Sequence, residues 1–199
     1  MVHCGAQSTQ TAGGTGSEIL ATVVRADSSG VHPVANGRVY CFPRTYLPDT
    51  TGLEPTWAAR TGYDGTFRIA GLDADSYIIE VVDTSGLSIA ASASVAAGET
   101  RNLGTLMVLP TASVQVHLLP ESLMMAGVQY FVRIYGTRIS SRNPIDSLGV
   151  LLTRLPTGTP LSFNVLVIRP APWSFDFKDI SALPGATIDL PSIALPIPN

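Results

Sequence analysis

A chain of 199 residues, 45% hydrophobic and 14% charged, has the composition of a folded protein and not of a disordered one. Its formal charge of -3, from 12 Lys and Arg against 15 Asp and Glu, comes with no cluster of basic residues interleaved with aromatics, which argues against nucleic acid as a partner. No stretch of about 20 apolar residues is present, so the sequence offers no membrane-spanning helix.

Residues 1-18, MVHCGAQSTQTAGGTGSE, are small and polar without strand periodicity and read as a flexible leader. Cys4, followed by such a spacer, resembles the start of a mature bacterial lipoprotein, in which the Cys is acylated and the spacer lifts the domain off the membrane. The residues before it are not a charged and apolar signal segment, and His3 is an unusual neighbour for a processed Cys. A plain thiol in a flexible tail is the competing reading. The second of the two cysteines, Cys41, lies in the strand-like run RVYCFP and reads as a buried apolar side chain, so no disulfide framework is implied.

Beyond the leader, 18 Gly and 15 Pro punctuate short runs rich in Val, Ile, Leu and Tyr, which predicts an all-β chain. Strands are expected at ILATVVRA, GRVYCFP, TFRIAGL, SYIIEVVD, SIAASASVA and RNLGTLMV, then at ASVQVHLL, VQYFVRIYG, LGVLLTRL, LSFNVLVIR, SFDFKDIS and ATIDLPSIAL. The two sets match each other. RVYCFPRTY (38-46) pairs with QYFVRIYGT (129-137), and residues 67-82 pair with residues 150-167. Gly98, Thr100, Leu103 and Leu106 fall 87 residues before Gly185, Thr187, Leu190 and Ile193. The reading is therefore two tandem antiparallel β-sandwiches, at 19-108 and 109-199, each a meander closed by a hairpin with a Gly at the reversal. Residues 44-61, with Pro48 and Pro55 and no clean alternation, read as an excursion at one end of the first sandwich.

Within TGYDGTFRIAGLDADSYIIEV (61-81), Asp64 with Gly65 has the chemistry of a tight turn, and Asp73 and Asp75 sit where one strand ends and the next begins. Here the chain resembles the carboxypeptidase regulatory-like domain, whose fold is transthyretin-like (immunoglobulin-like). The resemblance rests on Thr61, Asp64, Gly65, Phe67, Gly71, Leu72 and Tyr77. It implies that the Asp-Gly pair shapes a hairpin, that Phe67 and Tyr77 point into the core and that the Gly71-Leu72 segment, with Leu72 counted in the core, turns between strands. The sequence departs from the family pattern in having Ala74-Asp75-Ser76 before the Tyr. Members occur as peptidase accessory modules, surface-protein repeats, periplasmic receptor domains and parts of carbohydrate-active proteins, so the resemblance speaks to fold and leaves activity open.

The candidate chemistry is sparse. His3, His32 and His117 have no second ligand at metal spacing, and no His-Glu-x-x-His, Cys-x-x-Cys or Gly-x-Ser-x-Gly occurs. Asp49, Asp64, Asp73, Asp75 and Asp83 could gather around calcium, but no ligand loop of alternating carboxylates is present, and turn formation is the expected role. Trp57 with Tyr46 forms a candidate sugar-stacking pair, whereas Trp173, Phe175 and Phe177 alternate as the inward face of a strand. The expected function is a non-catalytic structural or protein-interaction module of the cell envelope or exterior, in an outer-membrane lipoprotein setting if Cys4 is acylated. No enzyme activity and no cofactor are implied. Partners would be another envelope protein or a surface polysaccharide, with membrane contact only through Cys4. The alternatives are a carbohydrate-binding module around Trp57 and an accessory domain of a separate enzyme.

Overall fold

The computed structural model describes residues 16-48, 58-119, 130-143, 150-168 and 172-194. The first run of strands is β1 (Ser17–Asp27), β2 (Gly30–Pro33), β3 (Arg38–Pro43), β4 (Ala59–Arg60), β5 (Thr66–Leu72), β6 (Asp75–Val82), β7 (Ser88–Val95) and β8 (Thr100–Met107). β1 is the centre of one sheet, antiparallel to β5 over its first part and to β2 over its second, and parallel to β8. The other sheet runs β4-β3-β6-β7, antiparallel throughout. Alternation sends Ile19, Ala21 and Val23 of β1 inward, against Phe67 and Ile69 of β5 and Tyr77, Ile79 and Val81 of β6.

The second run repeats this plan with β9 (Ala112–Val116), β10 (Leu118–Leu119), β11 (Tyr130–Ile134), β12 (Ser140–Asn143), β13 (Val150–Leu155), β14 (Leu161–Val167), β15 (Trp173–Ile180), β16 (Thr187–Asp189) and β17 (Ile193–Ala194). One sheet is β13-β9-β16, and the other is β12-β11-β14-β15. β10 and β17 make a short parallel pair. A second apolar cluster, including Val114, Val132, Ile134, Leu155, Phe163 and Val165, fills the space between these sheets. The architecture is all-β, built of several mainly antiparallel sheets and consistent with tandem immunoglobulin-like or transthyretin-like sandwiches.

The closing strands correct the expected meander. After β7 the chain turns through Ala96–Glu99, crosses to the other sheet and enters beside β1 in parallel, with Glu18 N–H donating to the Glu99 carbonyl at 2.9 Å. The same device recurs in the second run, where Ser113 N–H donates to the Ala186 carbonyl at 2.8 Å and β16 runs parallel to β9. Gly98 and Gly185 sit at these two turns with φ of 74° and 73°. Their role is a crossing between sheets and not a hairpin within one. Apolar alternation records which face a residue occupies and carries nothing about the direction of the neighbouring strand.

β1 also begins inside the segment read as leader. Ser17 is fully buried and its hydroxyl donates to the Ala96 carbonyl, while Glu18 pairs with Arg68 and accepts from Thr100 Oγ1 at 2.9 Å. These bonds hold the Glu18 carboxyl below its usual range, with the Arg68 hydrogen bond the largest cause.

Candidate functional site

The most constrained polar chemistry lies where the two runs of strands meet. β6 is buried on both faces: Tyr77, Ile79 and Val81 enter the first core, while Ile78, 2% exposed, belongs to the second. The near-continuous apolar run SYIIEVV is the sequence form of a strand covered on both sides. Ala90 of β7 also joins the second core, and its N–H donates to the Thr157 carbonyl at 2.7 Å. Gly136 N–H donates to the Tyr46 carbonyl at 2.7 Å. Backbone approaches β6 closely here: a Cβ on Gly136, at φ 71°, would stand 2.5 Å from Ile78 Cγ1.

Glu80 lies in this seam with no solvent exposure, and its Oε1 is 3.4 Å from Nε of Arg138, contributed by the second run. Among the described residues neither carboxylate oxygen of Glu80 accepts a hydrogen bond, nor does Arg138 Nε donate one. The guanidinium also stands over the Tyr40 ring, 4.8 Å from its centroid. Burial raises the Glu80 carboxyl and Arg138 lowers it, leaving it pushed up to about 7.

A groove of about 390 Å³ opens beside the seam, between Arg44 and Thr45 of the first run and Tyr135, Ser162, Asp176 and Lys178 of the second. Under its wall lies Asn164, 2% exposed and fully bonded. Its Nδ2 donates to Ser174 Oγ and to Asp176 Oδ1, both at 2.8 Å, and its Oδ1 accepts from Arg133 Nη2 at 2.6 Å and Nε at 3.2 Å. Tyr135 Oη donates to Asp176 Oδ1 at 3.1 Å. Partial burial, followed by the Asp176 carboxylate, raises the Tyr135 phenol above its usual range. None of these residues was singled out in the sequence, because Arg133 with Tyr135, Asn164 and Asp176 lie on three separate segments and form no linear motif.

The acidic turns are locally bonded. Asp64 Oδ1 accepts from Thr66 N–H at 3.0 Å and Thr66 Oγ1 at 2.7 Å, and these bonds, the hydroxyl's first, hold its carboxyl below the usual range. Gly65 has φ 77°, and a Cβ there would stand 2.3 Å from the Val23 carbonyl oxygen. Asp75 accepts from Ser76 N–H at 2.7 Å, and the Asp73 carbonyl accepts from Tyr77 Oη at 3.1 Å. Asp83 accepts from Ser85 N–H and Leu87 N–H at 2.8 and 2.9 Å. Among the described residues no group of three or more His, Cys, Asp or Glu could hold a metal ion.

Phe67, Leu72 and Tyr77 lie in the first core at 5, 8 and 4% exposure. Tyr46 is half-buried with its ring stacked on Phe42, centroids 4.6 Å apart, so one face is covered. Trp57, Cys4 and Asp49 lie outside the described residues. Trp173 is 42% exposed, while Phe175 and Phe177 are partly buried against the second core, so the inward aromatic stripe omits its Trp. His32 lies near Asp27 at 3.4 Å and His117 near Asp189 at 3.8 Å, each a surface pair on a different sheet.

No family model matches the chain, and no curated protein matches it. Solved structures do. The TIE protein of Bacillus anthracis aligns at 14% identity over 91% of this chain and 34% of its own, with a TM-score of 0.31. A streptococcal ancillary pilin aligns at 10% identity over 88% of this chain and 62% of its own, TM-score 0.31. A minor pilin of Streptococcus agalactiae aligns at 11% identity over 92% of this chain and 98% of its own, TM-score 0.38. The chain spans about a third of the first protein and less than two thirds of the second. At these scores the likeness carries no conclusion about this chain.

Proposed function

We propose that the chain is a non-catalytic structural or protein-interaction module of the cell envelope or exterior, made of two transthyretin-like sandwiches divided near Pro110, with the residues before β1 as its leader. The single observation that supports this best is the seam. Ile78, Glu80 and Ala90 are buried between the two runs of strands, joined by two backbone hydrogen bonds, which is the construction of a stiff spacer. The side chains of Asp64, Asp75 and Asp83, meanwhile, are spent on their own turns. The carboxypeptidase regulatory-like resemblance supports the fold of the first sandwich, and Cys4 is the proposed lipid anchor. Partners on this reading are other envelope proteins.

The reading is tested on intact cells of the source organism. Antibody labelling and protease shaving should reach the chain without lysis, and a Cys4→Ala variant should leave the membrane fraction if Cys4 carries the anchor. Recovery of the chain only from the cytosol would contradict the envelope assignment.

A further inference from the structure

The matched halves differ in the side chains on one face of corresponding sheets. The repeat sets Phe42 against Arg133, and the strand registers then carry the correspondence across each sheet. Phe42 pairs with Ile78, which pairs with Ser92; Arg133 pairs with Asn164, which pairs with Asp176. In the first half Phe42 and Ile78 are buried, Ile78 under the second half at the seam, while Ser92 is exposed. In the second half the same positions hold a hydrogen-bonded Arg133-Asn164-Asp176 row. Burying a carboxamide is costly unless all its bonds are made, and those of Asn164 all are. The row ends at Asp176, an exposed carboxylate on the wall of the groove.

We propose that this row builds a binding site for an uncharged saccharide in the groove beside the seam. Asn164 and Tyr135 both bond Asp176 on Oδ1, which fixes the carboxylate in advance and leaves Oδ2 to accept from hydroxyl groups. Lys178 and Arg44 supply donors, the latter held by Asp179 at 3.1 Å. Arg44 and Lys178 balance Asp176 and Asp179, so the groove has no net charge to attract a polyanion or a polycation. Tyr135 and Pro160 add apolar surface for the C–H face of a sugar ring. This site is distinct from the Trp57 region and adds a ligand to the module reading. A cytosolic location would overturn that reading and leave the site standing.

Amide chemical-shift titration of the full chain tests it, using cellohexaose, xylohexaose, mannohexaose and chitohexaose as neutral probes and polygalacturonate and spermine as charged ones. At least one neutral probe should give saturable shifts centred on Tyr135, Ser162, Asp176 and Lys178. Asp176→Ala should weaken that binding by about tenfold or more. Tyr135→Phe, which removes one oxygen from a half-buried position, should weaken it by a smaller factor, and Arg101→Ala on β8 should leave it unchanged. Flat responses to all four neutral probes, saturation by a charged probe alone, or undiminished binding by a folded Asp176→Ala variant would each overturn the proposal.

Discussion

Glu80 and Arg138 belong to different halves of the chain and stand 3.4 Å apart, with the carboxylate wholly buried. Such a pair gains Coulomb energy and loses hydration on both sides, and without further hydrogen bonds the balance tilts against the charged form. This gives the seam a dependence on proton concentration.

The Glu80 carboxyl stands at about 7 when buried, against 4.5 as the ordinary value. The folded seam thus binds the proton more tightly than the opened one. Glu80 contributes its full stabilisation below about pH 4.5 and loses it as pH rises through about 7, a span worth on the order of 3 kcal/mol. Asp64, Asp27 and Glu18 act in the opposite sense, losing stabilisation as pH falls, because their carboxyls are held low. Denaturation of the native chain and of Glu80→Gln across this range isolates the Glu80 part. The difference between the two should change with pH in the stated direction, and a constant difference would show that Glu80 does not titrate in the seam.

Gly136 tests the seam without touching charge. A Cβ at its positive φ would collide with Ile78, so Gly136→Ala should cost about 1 to 2 kcal/mol from backbone strain and more from the displaced side chain. Gly185→Ala has open space around the Cβ and should cost only the strain. Equal losses in urea denaturation would remove the case for close approach at Gly136.

Phe67 is 5% exposed in the first core, so Phe67→Ala should cost about 3 to 5 kcal/mol. A loss under about 1 kcal/mol by chemical denaturation would mean that the site repacks or is not tightly filled.

Asp64→Asn should be mild, because the side-chain oxygen that accepts from Thr66 is retained. Added calcium should leave the thermal midpoint of the native chain unmoved. A rise of several degrees that Asp64→Asn abolishes would establish a metal site at this turn instead.

What was legible in the sequence followed from side-chain period and turn chemistry. Ile19, Ala21 and Val23 alternate inward as their spacing implies, and the 87-residue match places Gly98 and Gly185 at equivalent turns with Leu190 and Ile193 buried. The short strands β2 and β12 escaped notice because Gly30–Pro33 and Ser140–Asn143 carry little apolar alternation; each is an edge held by one neighbour. The run SYIIEVV implies cover on both faces of β6, but no local signal identifies what provides it: Arg138, which faces the Glu80 carboxylate, lies 58 positions later. The Asn164 row was equally silent, since its members converge through strand register alone.

The central claim is that the two halves form one stiff body through the seam. Backbone 15N relaxation measures this most directly, because it reports the tumbling of each half separately. Residues of β1–β8 and of β9–β16 should yield one common rotational correlation time in the native chain. Two distinct shorter times, one for each half, would contradict the account and show a pair of independently moving domains.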